Sequence, residues 1–94
     1  MRVLAELAYS WMLFEENETL FLAVLCGGSA MFMLEFALNA AETGAYRQLG
    51  MAAIQALANQ VQQDSAPFQA RHLSYFGRSE AVQQAQAEWR RQAG

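Results

Sequence analysis

Residues 19–41 read TLFLAVLCGGSAMFMLEFALNAA. This stretch decides the fold, because it is the most apolar part of the 94-residue chain and holds a single carboxylate, Glu35. Its β-branched residues are only Thr19 and Val24. Leu, Ala and Met lose little side-chain freedom in a helix. The stretch therefore predicts one long helix, or two helices hinged at Gly27–Gly28. In its second half Glu35, Asn39 and Glu42 recur at i, i+4 and i+7, which predicts one narrow polar stripe. In its first half, Leu20 to Gly28, no side is polar. A helix of that kind is buried all round, in protein or in a membrane.

The rest of the composition points the same way. Ala numbers 18 and Met 5, whereas Val, Ile and Thr together number 7, and the one proline is Pro67. The predicted fold is a single all-α domain over 1–94. It is a small bundle of four or five helices around a long apolar central helix at 19–42, with a helical hairpin at the N-terminus. Upstream of the central stretch, Val3, Leu4, Leu7, Trp11 and Phe14 fit one helical stripe over 2–14. Asn17 is the expected N-cap after the break at 15–19. Downstream, Gly44 is the expected stop. A third helix then follows over 45–62, with Tyr46, Leu49, Ala53, Ile54, Leu57 and Val61 on its apolar face. Residues 63–67 form the clearest turn, and Pro67 suits the first turn of a short helix to Phe76. Gly77 stops that helix, and Ser79 opens a last one to Gln92, whose thin apolar face is Val82, Ala85 and Trp89.

The functional reading follows from what is present in excess and from which motifs do not occur. Apolar residues make up 54% of the chain and charged residues 16%. A domain this small has difficulty hiding so much apolar surface. A non-enzymatic, regulatory protein–protein interaction module is therefore expected. It would bind, inhibit or sequester another protein, such as a transcriptional regulator, or pair with itself as a homodimer. Helix-in-groove docking is the expected mode. The contact residues proposed from the sequence are Trp11, Met12, Phe14, Leu20, Phe21, Val24, Leu25, Met31 and Phe32. Cys26 and His72 cannot by themselves make a metal set, and no catalytic, cofactor or metal site is predicted. Glu35 and His72 lack the companions that acid–base chemistry needs, and Glu35 is expected at an edge or paired with Arg47 or Arg71. Cys26 is expected to be a small buried hydrophobe.

Two other readings compete. Residues 71–91 read as helix, glycine turn, helix with four arginines, the outline of a helix-turn-helix. Against it stand the net charge of −3 and Glu80 at the start of the would-be recognition helix, so nucleic acid is disfavoured. Residues 20–38 have the length of a membrane span. A central acid such as Glu35 costs roughly 2.5–3.5 kcal/mol on insertion, so a membrane is disfavoured too. The single cysteine, and the lack of a basic segment followed by a cleavage pattern, set the expected location as the cytoplasm. The Ala-rich, Arg-only composition suggests a bacterial or phage source.

Overall fold

A computed structural model describes residues 1–27 and 29–93, so Gly28, half of the expected hinge, lies outside the described residues. The fold is α+β, and the all-α expectation is wrong for the first 38 residues. Four strands, β1 (Arg2–Leu7), β2 (Trp11–Glu16), β3 (Thr19–Cys26) and β4 (Phe32–Ala37), form one antiparallel meander in the order β1-β2-β3-β4. The expected N-terminal helical hairpin is a β-hairpin. The expected central helix is β3, a loop and β4, followed by the start of a helix at Ala40.

The turns decide this outcome. Asn17 and Glu18 both take positive φ, 51° and 69°, as the two central residues of a tight hairpin turn do. Asn17 is therefore a turn residue and not a helix cap. The register runs Glu16↔Thr19 to Trp11↔Val24, and β3 then pairs with β4 from Phe21↔Ala37 to Cys26↔Phe32. A bulge between Val3 and Ala5 shifts the pairing of β1. It lets Leu4 and Ala5 join one face of the sheet while Val3 joins the other.

The first face of the sheet is covered by helices and the second face is covered in part, which explains the apolar run. Strands covered on both faces lose the polar alternation that marks a half-exposed strand. Helices α1 (Ala40–Leu49), α2 (Met51–Gln63) and α3 (Ala66–Gln69) follow the sheet. On the first face Trp11, Leu13, Leu20, Leu22, Val24, Cys26, Leu34 and Phe36 meet Ile54, Ala58, Val61 and Phe68 from these helices. On the second face Val3, Met12, Phe14 and Ala23 meet Phe76, Val82 and Ala85, with Trp89 packed alongside. Val82 to Trp89 belong to α4 (Glu80–Ala93), and Phe76 opens a 3-10 turn, Phe76–Arg78.

The helical half departs from the sequence reading in detail. Gly44 lies within α1, and the break falls at Gly50, whose φ of 67° is left-handed. The predicted stripe Glu35–Asn39–Glu42 is not a stripe. Glu35 is in a strand, and Asn39 caps α1. Its side chain accepts from the Glu42 N–H while the Glu42 carboxylate accepts from the Asn39 N–H, a reciprocal capping box. Pro67 sits in the first turn of α3 as expected, but α3 ends at Gln69. Residues 71–75 are therefore not helical, and 71–91 holds no helix-turn-helix. Among the described residues, no helix is long and apolar enough to cross a membrane.

Candidate interaction surface

The antiparallel ladder fixes which backbone groups of β4 are free. Leu38 donates its N–H to the Leu20 carbonyl at 2.8 Å, so the even-numbered residues of β4 face β3. The odd-numbered residues, Met33, Glu35 and Ala37, turn their N–H and C=O groups to the outer edge. The C-terminal part of that edge is strapped by residues 71–73. The Ala37 carbonyl accepts from Arg71 Nη2 at 2.8 Å, and the Glu35 carbonyl from the Leu73 N–H at 2.7 Å. The Glu35 N–H donates to His72 Nδ1 at 3.1 Å. That bond engages Nδ1 of His72 with backbone.

Arg71 anchors the strap. Its guanidinium bonds both carboxylate oxygens of Glu42, at 3.0 and 2.7 Å, and lies 4.7 Å from the Phe36 ring centre. Burial pushes the Glu42 carboxyl up, but the bonds from Arg71 and the Asn39 N–H, with the Arg71 charge, outweigh it and hold Glu42 below its ordinary value. The bond to Glu42 raises the already high value of Arg71. Arg71 therefore pairs with Glu42 and not with Glu35.

The N-terminal part of the edge has no such cover. Among the described residues no side chain bonds the outward N–H or C=O of Met33. A cleft of 410 Å³ runs beside it, lined by Phe32, Met33, Leu34, Gln69 and His72. The side chains here are unusually exposed for their type: Met31 65%, Phe32 42% and Met33 45%. Leu7 and Tyr9, at the turn between β1 and β2, lie at the same end of the sheet, and Tyr9 is 95% exposed. Five of the eight exposed large apolar residues among the described residues thus lie at this end of the sheet, the others being Leu49, Met51 and Tyr75.

A second hollow, of 370 Å³, opens at this end on the second face of the sheet. Its floor is Met12, Ala23, Leu25 and Met33, one from β2, two from β3 and one from β4. Gln86 of α4 and Gly77 form one wall, with Leu7 and Tyr9 at the rim. It exists because α4 lies over β1 and β2 and leaves the adjoining part of β3 and β4 bare. Glu6 and Glu35 also line the hollow, and no Lys or Arg does. Glu6 accepts from Trp89 Nε1 at 3.0 Å. Glu35 has no ion-pair partner among the described residues. Burial raises its pKa, opposed by His72 and by a hydrogen bond from the Gly77 N–H. A Cβ on Gly77 would come within 3.2 Å of the carboxylate, so glycine allows the close approach.

The structure divides the contact residues proposed from the sequence. Trp11, Met12, Phe14, Leu20 and Val24 are buried within the chain's own core, although Trp11 and Met12 reach the wall and floor of the hollow. Phe21 and Leu25 are half-buried. Only Met31 and Phe32 are exposed. The contact residues proposed from the sequence did not include Leu7, Tyr9 and Met33, which are exposed. The missing signal was the strand register, since position along a pleated edge decides their exposure. Cys26 is buried, and burial raises its thiol pKa. Comparison with protein-family models, with curated proteins and with solved structures yields no match for this chain.

Proposed function

We propose that the chain is a non-enzymatic protein-interaction module that takes up an apolar, positively charged helical segment of another protein. The observation that carries this reading is the half-covered second face of the sheet. A helix laid beside α4 would cover Leu25 and Met33 and complete the layer that α4 begins. Glu6 and Glu35 supply negative charge in a hollow without a cation, so Lys or Arg on that helix is the complementary choice. Apolar anchors would supply most of the affinity. An inhibitory or sequestering role, as expected from the sequence, is the form such docking takes.

Two labelled amphipathic peptides of Leu and Lys, or Leu and Glu, test this by fluorescence anisotropy. Saturable binding of the Lys peptide alone is expected. Met33→Ser and Glu35→Lys should each weaken it at least tenfold. Glu18→Lys, which makes the same charge change on the exposed turn at the far end of the sheet, should not. Equal binding of the two peptides, or equal loss in all three variants, would overturn the reading.

A further inference from the structure

We infer that a second copy of this chain pairs with the open end of β4, edge to edge and antiparallel about Phe32, joining the two sheets into one of eight strands. The argument begins with how much edge is available. The strap from Arg71 to Leu73 takes up both outward groups of Glu35 and the carbonyl of Ala37. At the other end stands Met33, whose N–H and C=O groups point outward, and continuing the period of two one residue before the strand places Met31 on the same edge. An unpaired edge is a template for another strand, and here its length is limited to residues 31–33.

This short segment is self-complementary. A two-fold contact places the same patch on both partners, so each residue must be compatible with the one it meets across the axis. Met31-Phe32-Met33 reads identically in either direction. In the antiparallel pairing centred on Phe32, Met31 of one copy faces Met33 of the other. Both are outward-facing positions, so each such pair can exchange both backbone hydrogen bonds. Phe32 faces its own equivalent in the non-hydrogen-bonded position, where side chains approach most closely. Charge permits the contact as well. Residues 25–34, LCGGSAMFML, carry no ionisable group other than the Cys26 thiol, so the net charge of −3 per chain is not concentrated where the copies meet. The strap limits the pairing from the other side, since the residue of the second copy opposite Glu35 would be Ser29, in the loop before β4.

The pairing does not depend on what fills the hollow beside α4, and it leaves that hollow open. Met33 lines the hollow floor, so Met31 of the second copy would extend that floor. The contact is small compared with the roughly 1,200–2,000 Å² of a standard interface. The dimer is therefore expected to dissociate on dilution.

Sedimentation equilibrium over a concentration series tests this with the protein alone. The mass should rise from that of the 10.5 kDa chain towards twice that value. Met33→Pro removes an outward N–H that the ladder within the chain does not use, and proline is tolerated at an edge. This variant should remain monomeric with an unchanged circular dichroism spectrum. Phe32→Cys in a Cys26→Ala background, which removes the thiol directly across β3, should form an intermolecular disulfide under mild oxidation. Non-hydrogen-bonded pairs lie within disulfide range. The same background with Ser29→Cys should not. A mass that stays at one chain throughout overturns the proposal. So does a dimer that survives Met33→Pro and fails to cross-link at position 32, which would assign the contact to another surface. Loss of peptide binding without loss of dimer would overturn the helix-docking function alone.

Discussion

The two halves of the segment 31–37, which is β4 and the residue before it, carry similar sequences and have opposite fates. Met31-Phe32-Met33 and Leu34-Glu35-Phe36-Ala37 are both rich in large apolar side chains, and both lie on the outermost strand. The second half is closed: Phe36 is fully buried under Phe68, and His72, Leu73 and Arg71 take up the Glu35 N–H and the Glu35 and Ala37 carbonyls. The first half is open, with its side chains partly exposed and a cleft along its edge. The difference lies in a segment some 35 residues further along the chain, where α3 stops at Gln69 and the strap begins. An exposed apolar edge is a liability in a monomer. That the chain closes one half with a bidentate arginine and leaves the other bare is the main physical reason to look for partners at this end.

The sharpest way to break the comparison is to truncate one phenylalanine in each half. Phe36→Ala removes a fully buried ring from the first-face core and should cost about 3–5 kcal/mol, read as the shift in a urea unfolding curve. Phe32→Ala should stay within about 0.5 kcal/mol, as surface changes do. Similar costs would mean that the open end is more tightly packed than its exposure implies.

Opening the closed half is the next test. Arg71→Ala removes two bonds to Glu42 and one to the Ala37 carbonyl, and should cost about 1.5–3 kcal/mol. It should also lengthen the bare edge, so self-association should increase even as stability falls. The contribution has a defined pH dependence. The folded Glu42 carboxyl titrates below its ordinary 4.5, so its stabilisation is fully present above that pH and is lost as pH falls through the lowered value. The stability gap between wild type and Arg71→Ala should therefore narrow in acid. A gap independent of pH would reduce Arg71 to a packing residue on Phe36.

Sequence reasoning recovered the helical half of this fold better than the strand half, for identifiable reasons. In α2, Ile54 and Val61 follow a 3.6-residue period because only one side of the helix meets the sheet, so the pattern is visible. In β3, Leu20, Leu22 and Val24 face one layer while Phe21 and Ala23 face the other. With apolar residues on both faces of the strand the period of two disappears, and a continuous apolar run is equally compatible with a buried helix. Ala, Leu and Met then favour the helix by intrinsic propensity, and tertiary pairing overrides them. The one local clue was Asn17-Glu18, two turn-compatible residues between the apolar runs of β2 and β3. At the candidate surface, Met31 and Phe32 were legible as sticky residues. Nothing in the sequence distinguishes them from Phe14 or Leu20, because exposure there depends on register and on where the strap stops.

The smallest expected effect is the most discriminating. Glu35 lies at the border between the halves, with its backbone bonded into the strap and its carboxylate in the hollow. Burial raises its pKa above the ordinary 4.5, so the folded chain takes up this proton more readily than the unfolded one. Its charge is therefore a slight burden on the free protein at neutral pH, relieved as pH falls into the raised range and constant once both states are protonated. Glu35→Gln keeps an acceptor for the Gly77 N–H and removes the charge. It should stabilise the free chain by a few tenths of a kcal/mol at pH 7, with the gain fading in acid. The same variant should lose several-fold in affinity for the Leu and Lys peptide, because the charge disfavoured in the free chain is the one a cationic partner would compensate. A change that stabilises the fold while weakening docking would mark Glu35 as a binding residue. A change that weakens the fold and leaves docking untouched would mark it as an acceptor for Gly77 and nothing more.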